Sequence, residues 1–177
     1  MAASPTTVLF RIAPLLSSTA AVSMTLCEDV FFRPLGTPHS TVRPQANRIL
    51  ATNFKSCAPY AMSMTATYYF SAIGVAIANV TLRGGVLALS GSSAAVPQRL
   101  AAGFYIAGAI FNALHFAFAP SDISLMDIIM DQSKADSDKG KDNCTAMADW
   151  VKLNVWRGFL ADFPGFVCNL IGFTLSL

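Results

Sequence analysis

His115, Glu28, Asn154 and Arg157 are the side chains whose types could move a proton and hold a developing anion. His115 is the histidine inside an apolar run; the other, His39, stands in a loop. Glu28 is the alternative base. Asn154 and Arg157 are three residues apart in "ADWVKLNVWRGFLADF", so a helix turns both to one side. Taking Asn154 as zero at 100° per residue, Arg157 lies at about −60°, Trp150 at about −40°, Asn169 at about +60° and Asp162 at about +80°. The opposite side holds Trp156, Phe159, Phe163, Phe166, Val167 and Leu170. Asp29, Tyr60, Asn112, Trp150 and Asp162 complete the set as residues that could line a substrate site.

Other chemistries lack their residues. A single intramembrane histidine with scattered carboxylates is too thin a donor set for zinc or iron. No phosphate loop, nucleophile elbow or dinucleotide glycine pattern is present, so neither metal nor cofactor is expected. Cys27, Cys57, Cys144 and Cys168 have no C-x-x-C spacing and are expected to be free thiols. A net charge of +2 without a basic stripe gives no reason to expect nucleic acid.

These candidates must be positioned by helices. Only 12% of residues are charged against 54% apolar, and the mean hydropathy is +0.51. The apolar residues are bunched into runs long enough to cross a bilayer, at about 7–32, 58–82, 100–120 and 151–177. The first lacks a basic leader and contains Arg11, which argues against a signal peptide. The expected fold is therefore all-α: an integral membrane four-helix bundle in a single domain, 1–177. The stretch "SDISLMDIIMDQSK" puts Ile123, Met126, Ile129 and Met130 opposite Asp127, Asp131 and Lys134. It reads as a short amphipathic helix lying on the membrane surface between spans 3 and 4. A charged turn, "ADSDKGKDN", follows it.

Basic residues set the orientation. Loop one (33–57) carries Arg33, Arg43, Arg48 and Lys55; loop three (121–150) and its edge carry Lys134, Lys139, Lys141 and Lys152. The Gly/Ser-rich loop two (83–99) has Arg83 and Arg99 at its ends. Loops one and three are expected in the cytosol, with both termini lumenal, in the endoplasmic reticulum or another endomembrane. Neither sequon, at Asn79 and Asn143, is expected to carry a glycan.

Each span has one polar or small stripe: Ser17, Ala21, Thr25, Glu28; Tyr60, Ser63, Thr67, Ser71, Gly74, Ala78; Tyr105, Gly108, Asn112, His115; and the Asn154 face. Such stripes are expected to converge on the bundle interior. By depth, the strong hydrogen-bonding groups other than Asp162 and Arg11 fall at the cytosolic ends, which argues against a transporter. Every candidate also has a structural explanation: Arg157 can snorkel, Asn154 can tie helices, and Tyr60 and Trp150 fit an aromatic belt.

The pattern Trp150-x-x-x-Asn154-x-x-Arg157 leading into the last span, with "HFAFAPSDISLMDII" after the third, resembles the small four-span membrane family that includes the fungal anthrone oxygenases. The chain departs from that pattern in "NFKSCAPYAM" before the second span, and in Pro120-Ser121-Asp122 where the family has Pro-x-Asn. The resemblance implies an integral membrane enzyme that oxidises a lipophilic aromatic or polyketide-type natural product with dioxygen, without a cofactor. It implies His115 or Glu28 as base and Arg157 with Asn154 as anion holders. The other readings are a non-catalytic membrane subunit whose polar faces hold a partner or form a homo-oligomer, and a small transporter. Membrane lipid is a partner in all three.

Overall fold

The computed structural model describes residues 4–82, 96–135 and 141–177. Among these the chain is all-α, with no strand. Helix α1 is Pro5–Gly36, α2 Arg43–Thr81, α3 Val96–Leu114, α4 Ala119–Met130, α5 Asn143–Arg157 and α6 Phe163–Ser176. A 3-10 turn, His115–Phe118, joins α3 to α4, and a π turn, Gly158–Asp162, joins α5 to α6. Four stretches have the length and apolar composition of membrane spans: Pro5–Gly36, Arg43–Thr81, Val96–Met130 and Asn143–Ser176. The chain is an integral membrane protein on that ground.

The helices overrun the expected spans. Most of the expected loop one is helix, leaving 37–42 as the connection, and α5 begins at Asn143 rather than Val151. Charge did not stop these helices because Arg, Lys, Gln and Ala are good helix formers outside a bilayer too. Helix α4 exists and buries Met126 and Ile129 as its pattern requires, while Ile123 is exposed. Most of loop two (83–95) and of the charged turn (136–140) lies outside the described residues.

The residues group into two compact units: Met1–Val22 with Ala66–Phe116 and Phe159–Leu177, and Ser23–Thr65 with Ala117–Gly158. Each contains segments of four helices. In the first unit, α3 and α6 meet in a ladder of paired positions. Tyr105 lies against Gly172, Asn169 against Gly108, Asn112 against Gly165, and His115 bonds Asp162. Successive rungs are about 5 Å apart, the rise of three or four helical residues. A Cβ on Gly108 would stand 2.5 Å from Asn169 Oδ1, and one on Gly165 2.9 Å from Asn112 Oδ1. Each carboxamide thus fills the space that the facing glycine leaves. On the α1 side, Pro14 has no N–H to give the Phe10 carbonyl four residues back. Asn79 donates to that carbonyl at 2.9 Å instead, and Tyr105 Oη donates to the Arg11 carbonyl at 2.7 Å. Ala76 and Val80 of α2 pack with Ala101, Ala102 and Ala109 of α3.

The second unit has an apolar core around Leu50, Phe54, Met126, Ile129, Met147, Trp150 and Val151. Phe32, Phe54 and Trp150 form an edge-to-face cluster with centroids 5.4–5.8 Å apart. The start of α5 is fastened to α2. Asp142 caps α5 by accepting from Thr145 N at 2.8 Å and takes both arms of Arg43, each at 2.8 Å. Asn47 donates to Asp142 and accepts from Cys144 N. Asn143 in turn donates to the carbonyls of Ile128, Ile129 and Asp131 at the end of α4. The two sequon asparagines are therefore both buried and engaged.

The expected interior stripe of the second span is corrected. Helix α2 buries Phe54, Ala58, Tyr69, Ala72, Ala76 and Asn79, while Tyr60, Ser63, Thr67 and Gly74 are exposed. Serine and threonine on a helix can bond the carbonyl four residues back, as Thr19, Ser56, Thr81 and Thr174 do, so they are not obliged to face the interior.

Gly165→Ala is expected to destabilise the protein by about 1–3 kcal/mol through overpacking. Asn112→Ala in the same chain should return part of that loss, a coupling readable in a double-mutant cycle of detergent unfolding. A second expectation concerns acid. Burial pushes the Asp142 carboxyl up, but Arg43, Thr145 and Asn47 outweigh it and hold it well below the usual carboxylate range. Its lock therefore contributes fully above the ordinary carboxylate pKa of about 4 and is lost as pH falls towards the lower folded value. Asp142→Asn should lower the melting temperature at neutral pH and flatten the acid limb of the stability profile.

Candidate functional site

The candidates divide between the two units. His115, Asn112 and Asp162 belong to the first; Glu28, Asp29, Tyr60, Trp150, Asn154 and Arg157 belong to the second.

In the first unit, His115 and Asp162 make a buried dyad at the end of the α3–α6 ladder. Nδ1 of His115 lies 2.9 Å from Oδ1 of Asp162, and the residues are 6% and 1% exposed. A carboxylate can only accept, so Nδ1 of the imidazole is the donor in this bond. Tyr69 of α2 covers the imidazole, with centroids 3.8 Å apart and planes 31° apart. Phe116 meets the same ring edge-on. The local chain explains the placement. His115 opens the 3-10 turn that ends α3, and Asp162 closes the π turn before α6. Pro164 cannot donate to the carbonyl of Leu160, and the widened turn accommodates that loss.

The π turn also changes the geometry read from sequence. It absorbs about one extra residue, so Asp162 and Asn169 lie about 100° back from where uninterrupted α-helix puts them. After Arg157 the buried positions are Ala161, Asp162, Gly165, Asn169, Gly172 and Ser176, and Phe163 and Leu170 are exposed.

Asn112, one rung from the dyad, is fully buried, and neither the donor nor the acceptor of its carboxamide has a hydrogen-bond partner among the described residues. An unmatched buried polar group costs about 1–3 kcal/mol. Packing against Gly165 requires a side chain of that size but not its polarity.

In the second unit, Arg157 is the hub. It donates through Nη1 to Asp122 at 2.9 Å and through Nη2 to Glu28 at 3.2 Å, and it also donates to Asn154 Oδ1. Asn154 Nδ2 donates to the Thr25 carbonyl at 3.1 Å. One guanidinium thus ties α1, α4 and α5, and Arg157 and Glu28 already occupy each other. Glu28 faces Arg157, and His115 faces Asp162.

The remaining candidates are placed more simply. Trp150 is core, in the three-ring cluster with Phe32 and Phe54. Asp29 pairs with Arg33 one helical turn on, at an exposed position. Tyr60 is 74% exposed. Asp122 and Tyr69 were missed. The signal for Asp122 was a carboxylate at the start of an apolar segment, a charge that needs a cation nearby. Tyr69 gave none, because an aromatic in an apolar run looks like lipid-facing surface.

The concentration of polar groups at one set of helix ends is also corrected. The first unit buries Asn79, Asn112, Asn169 and Ser176 besides the dyad. Two of these amides answer carbonyls: Asn79 the one freed by Pro14, and Asn169 that of Pro14 itself at 3.5 Å.

Among the described residues no cluster of three or more histidine, cysteine and carboxylate side chains could hold a metal ion. No protein-family model matches the chain, and comparisons with curated proteins and with solved structures give no match either.

Arg157→Leu should leave Glu28 and Asp122 without their shared cation, a loss of about 3–5 kcal/mol for a buried pair. The expected readout is a collapse of folded protein in membranes. Asp122→Asn, which keeps a hydrogen-bond acceptor, should be tolerated far better.

Proposed function

We propose that the chain is a membrane enzyme that deprotonates a lipophilic aromatic substrate and lets the resulting carbanion react with dioxygen. The observation that carries this reading is the His115–Asp162 dyad: a buried carboxylate fixes the imidazole tautomer and stabilises the imidazolium that forms. A benzylic or enolisable C–H between aromatic and carbonyl groups is acidic enough for such a base. His115 Nε2 takes the proton. The carbanion reduces O2, forming a carbon–oxygen bond, and the hydroperoxide loses water to leave a ketone, so O2 and a CH2 group become C=O and H2O. No metal or flavin is needed, because the substrate supplies the electrons. Asn112 is assigned the substrate's oxyanion, which would give its unmatched N–H a use.

This reading revises the roles that the resemblance to the anthrone oxygenase family implies. Arg157 and Asn154 become the framework of the second unit rather than anion holders, since two carboxylates already share the guanidinium. Glu28 gives up the role of base for the same reason. The surface placement of α4 and the cytosolic placement of its basic neighbours belong to the same proposal, as does an endomembrane location.

One observation favours the alternative of a non-catalytic membrane subunit. Asn112 and Asn169 fill the spaces opposite Gly165 and Gly108, as residues serving only to pack helices would.

Membranes carrying the parent, fed anthrones and related phenolic aromatics, should consume oxygen and give the quinone or ketone product. His115→Ala and Asp162→Asn should each lower turnover by about 10²–10⁴, with protein abundance unchanged. Loss of abundance rather than turnover, or no product from the parent, decides for the subunit reading.

A further inference from the structure

The second unit contains a groove of about 490 Å³ lined by Ala51, Thr52, Lys55 and Ser56 of α2 and by Met130, Asp131 and Gln132. Gln132 bridges its two walls by donating to Thr52 Oγ1 at 3.3 Å. Two features of its charges stand out. Lys55 on one wall and Asp131 on the other are opposite in sign and are not paired with each other, and Lys55 makes no ion pair with any described residue. Asp131 accepts from Ser133 N and Oγ through one oxygen, Oδ1. Those bonds, with the charge of Lys134, hold its carboxyl below the usual range, so it is ionised at neutral pH. In addition, Pro59 has no N–H for the carbonyl of Lys55, which leaves a backbone acceptor on a lining residue.

The position in the chain says what such a groove meets. Asp131 directly follows the candidate span that ends at Met130, and Lys55, in the polar first part of the candidate span Arg43–Thr81, stands three residues before the apolar run that begins at Ala58. Both walls therefore stand where spans give way to polar sequence, the level of lipid headgroups. We propose that this groove binds a phosphoethanolamine group, with the phosphate on Lys55 and the Thr52 hydroxyl and the primary ammonium on Asp131. The lining has no aromatic ring, which a quaternary ammonium would need, so choline is disfavoured. The inference is independent of the oxygenase reading: it uses neither His115 nor Asp162.

The test uses the full chain, purified in detergent and stripped of lipid, with bound lipid read by native mass spectrometry. The parent is offered phosphatidylethanolamine, phosphatidylcholine and phosphatidylglycerol at equal concentration, and Lys55→Ala and Asp131→Asn are treated alike. Both sites are accessible, so these variants should fold as the parent does. The parent should take up phosphatidylethanolamine in preference to the other two; Lys55→Ala should lower its uptake about tenfold and Asp131→Asn should lower the preference about tenfold, each the worth of about 1.4 kcal/mol. Equal uptake of the three lipids by the parent, uptake that survives Lys55→Ala, or a preference that survives Asp131→Asn, overturns the proposal. Soluble phosphoethanolamine is added in a further arm. Displacement of the lipid at similar concentration means that the free compound is the ligand; failure to displace assigns the site to the lipid.

Discussion

A polar group inside a bilayer has no water to turn to, so every backbone carbonyl a proline frees and every charge a helix carries must be matched from within the protein. Much of this structure follows from that constraint. Pro14 frees the carbonyl of Phe10, and Asn79 answers it. Tyr105 reaches the carbonyl of Arg11, and Arg11 reaches that of Ser176. Arg157 is held between Asp122 and Glu28 with Asn154 beside it. The result is that buried polar side chains in this protein mark places where the backbone or a neighbouring charge needed a partner. A polar residue is informative about function only when that need does not account for it.

That criterion separates the candidates. The Arg157 cluster is explained by mutual need: a guanidinium and two carboxylates at 2.9 and 3.2 Å join three helices, and substrate is not required to rationalise any of them. Trp150 is explained by packing. The His115–Asp162 pair differs. A neutral apolar pair of similar volume would close the α3–α6 ladder as well, since replacing buried ionisable pairs by packed hydrophobic residues is often neutral or stabilising. The neighbouring Asn112 differs in the same way, because its rung needs volume and its carboxamide is unmatched. The two groups that packing leaves unexplained occupy consecutive rungs.

The fold class was legible because length and apolar composition decide it: four runs of spanning length leave few alternatives to helices. The faces were legible where the polar residues were strong. Tyr105, Gly108, Asn112 and His115 recur at three- and four-residue spacing and are all buried. On α2 the same arithmetic chose hydroxyls and a glycine, which a helix can satisfy by itself, and it chose the exposed face. On the last span it was the periodicity that changed. The 100° step holds to Arg157 and fails across Gly158–Asp162, where the π turn inserts about one residue. A proline two residues past an aspartate was the visible cue, but sequence does not say whether a helix answers a proline with a kink or with a widened turn.

Spacing past the π turn places the carboxylate of the dyad. Asp162, Gly165, Asn169 and Gly172 recur at three- and four-residue intervals, so Asp162 continues the side of α6 whose glycines and asparagine face α3. The carboxylate thus stands opposite His115, at the rung where the ladder ends in an ionisable pair. The π turn carries the chain past Pro164, which has no N–H to give, without breaking the helix where that side begins.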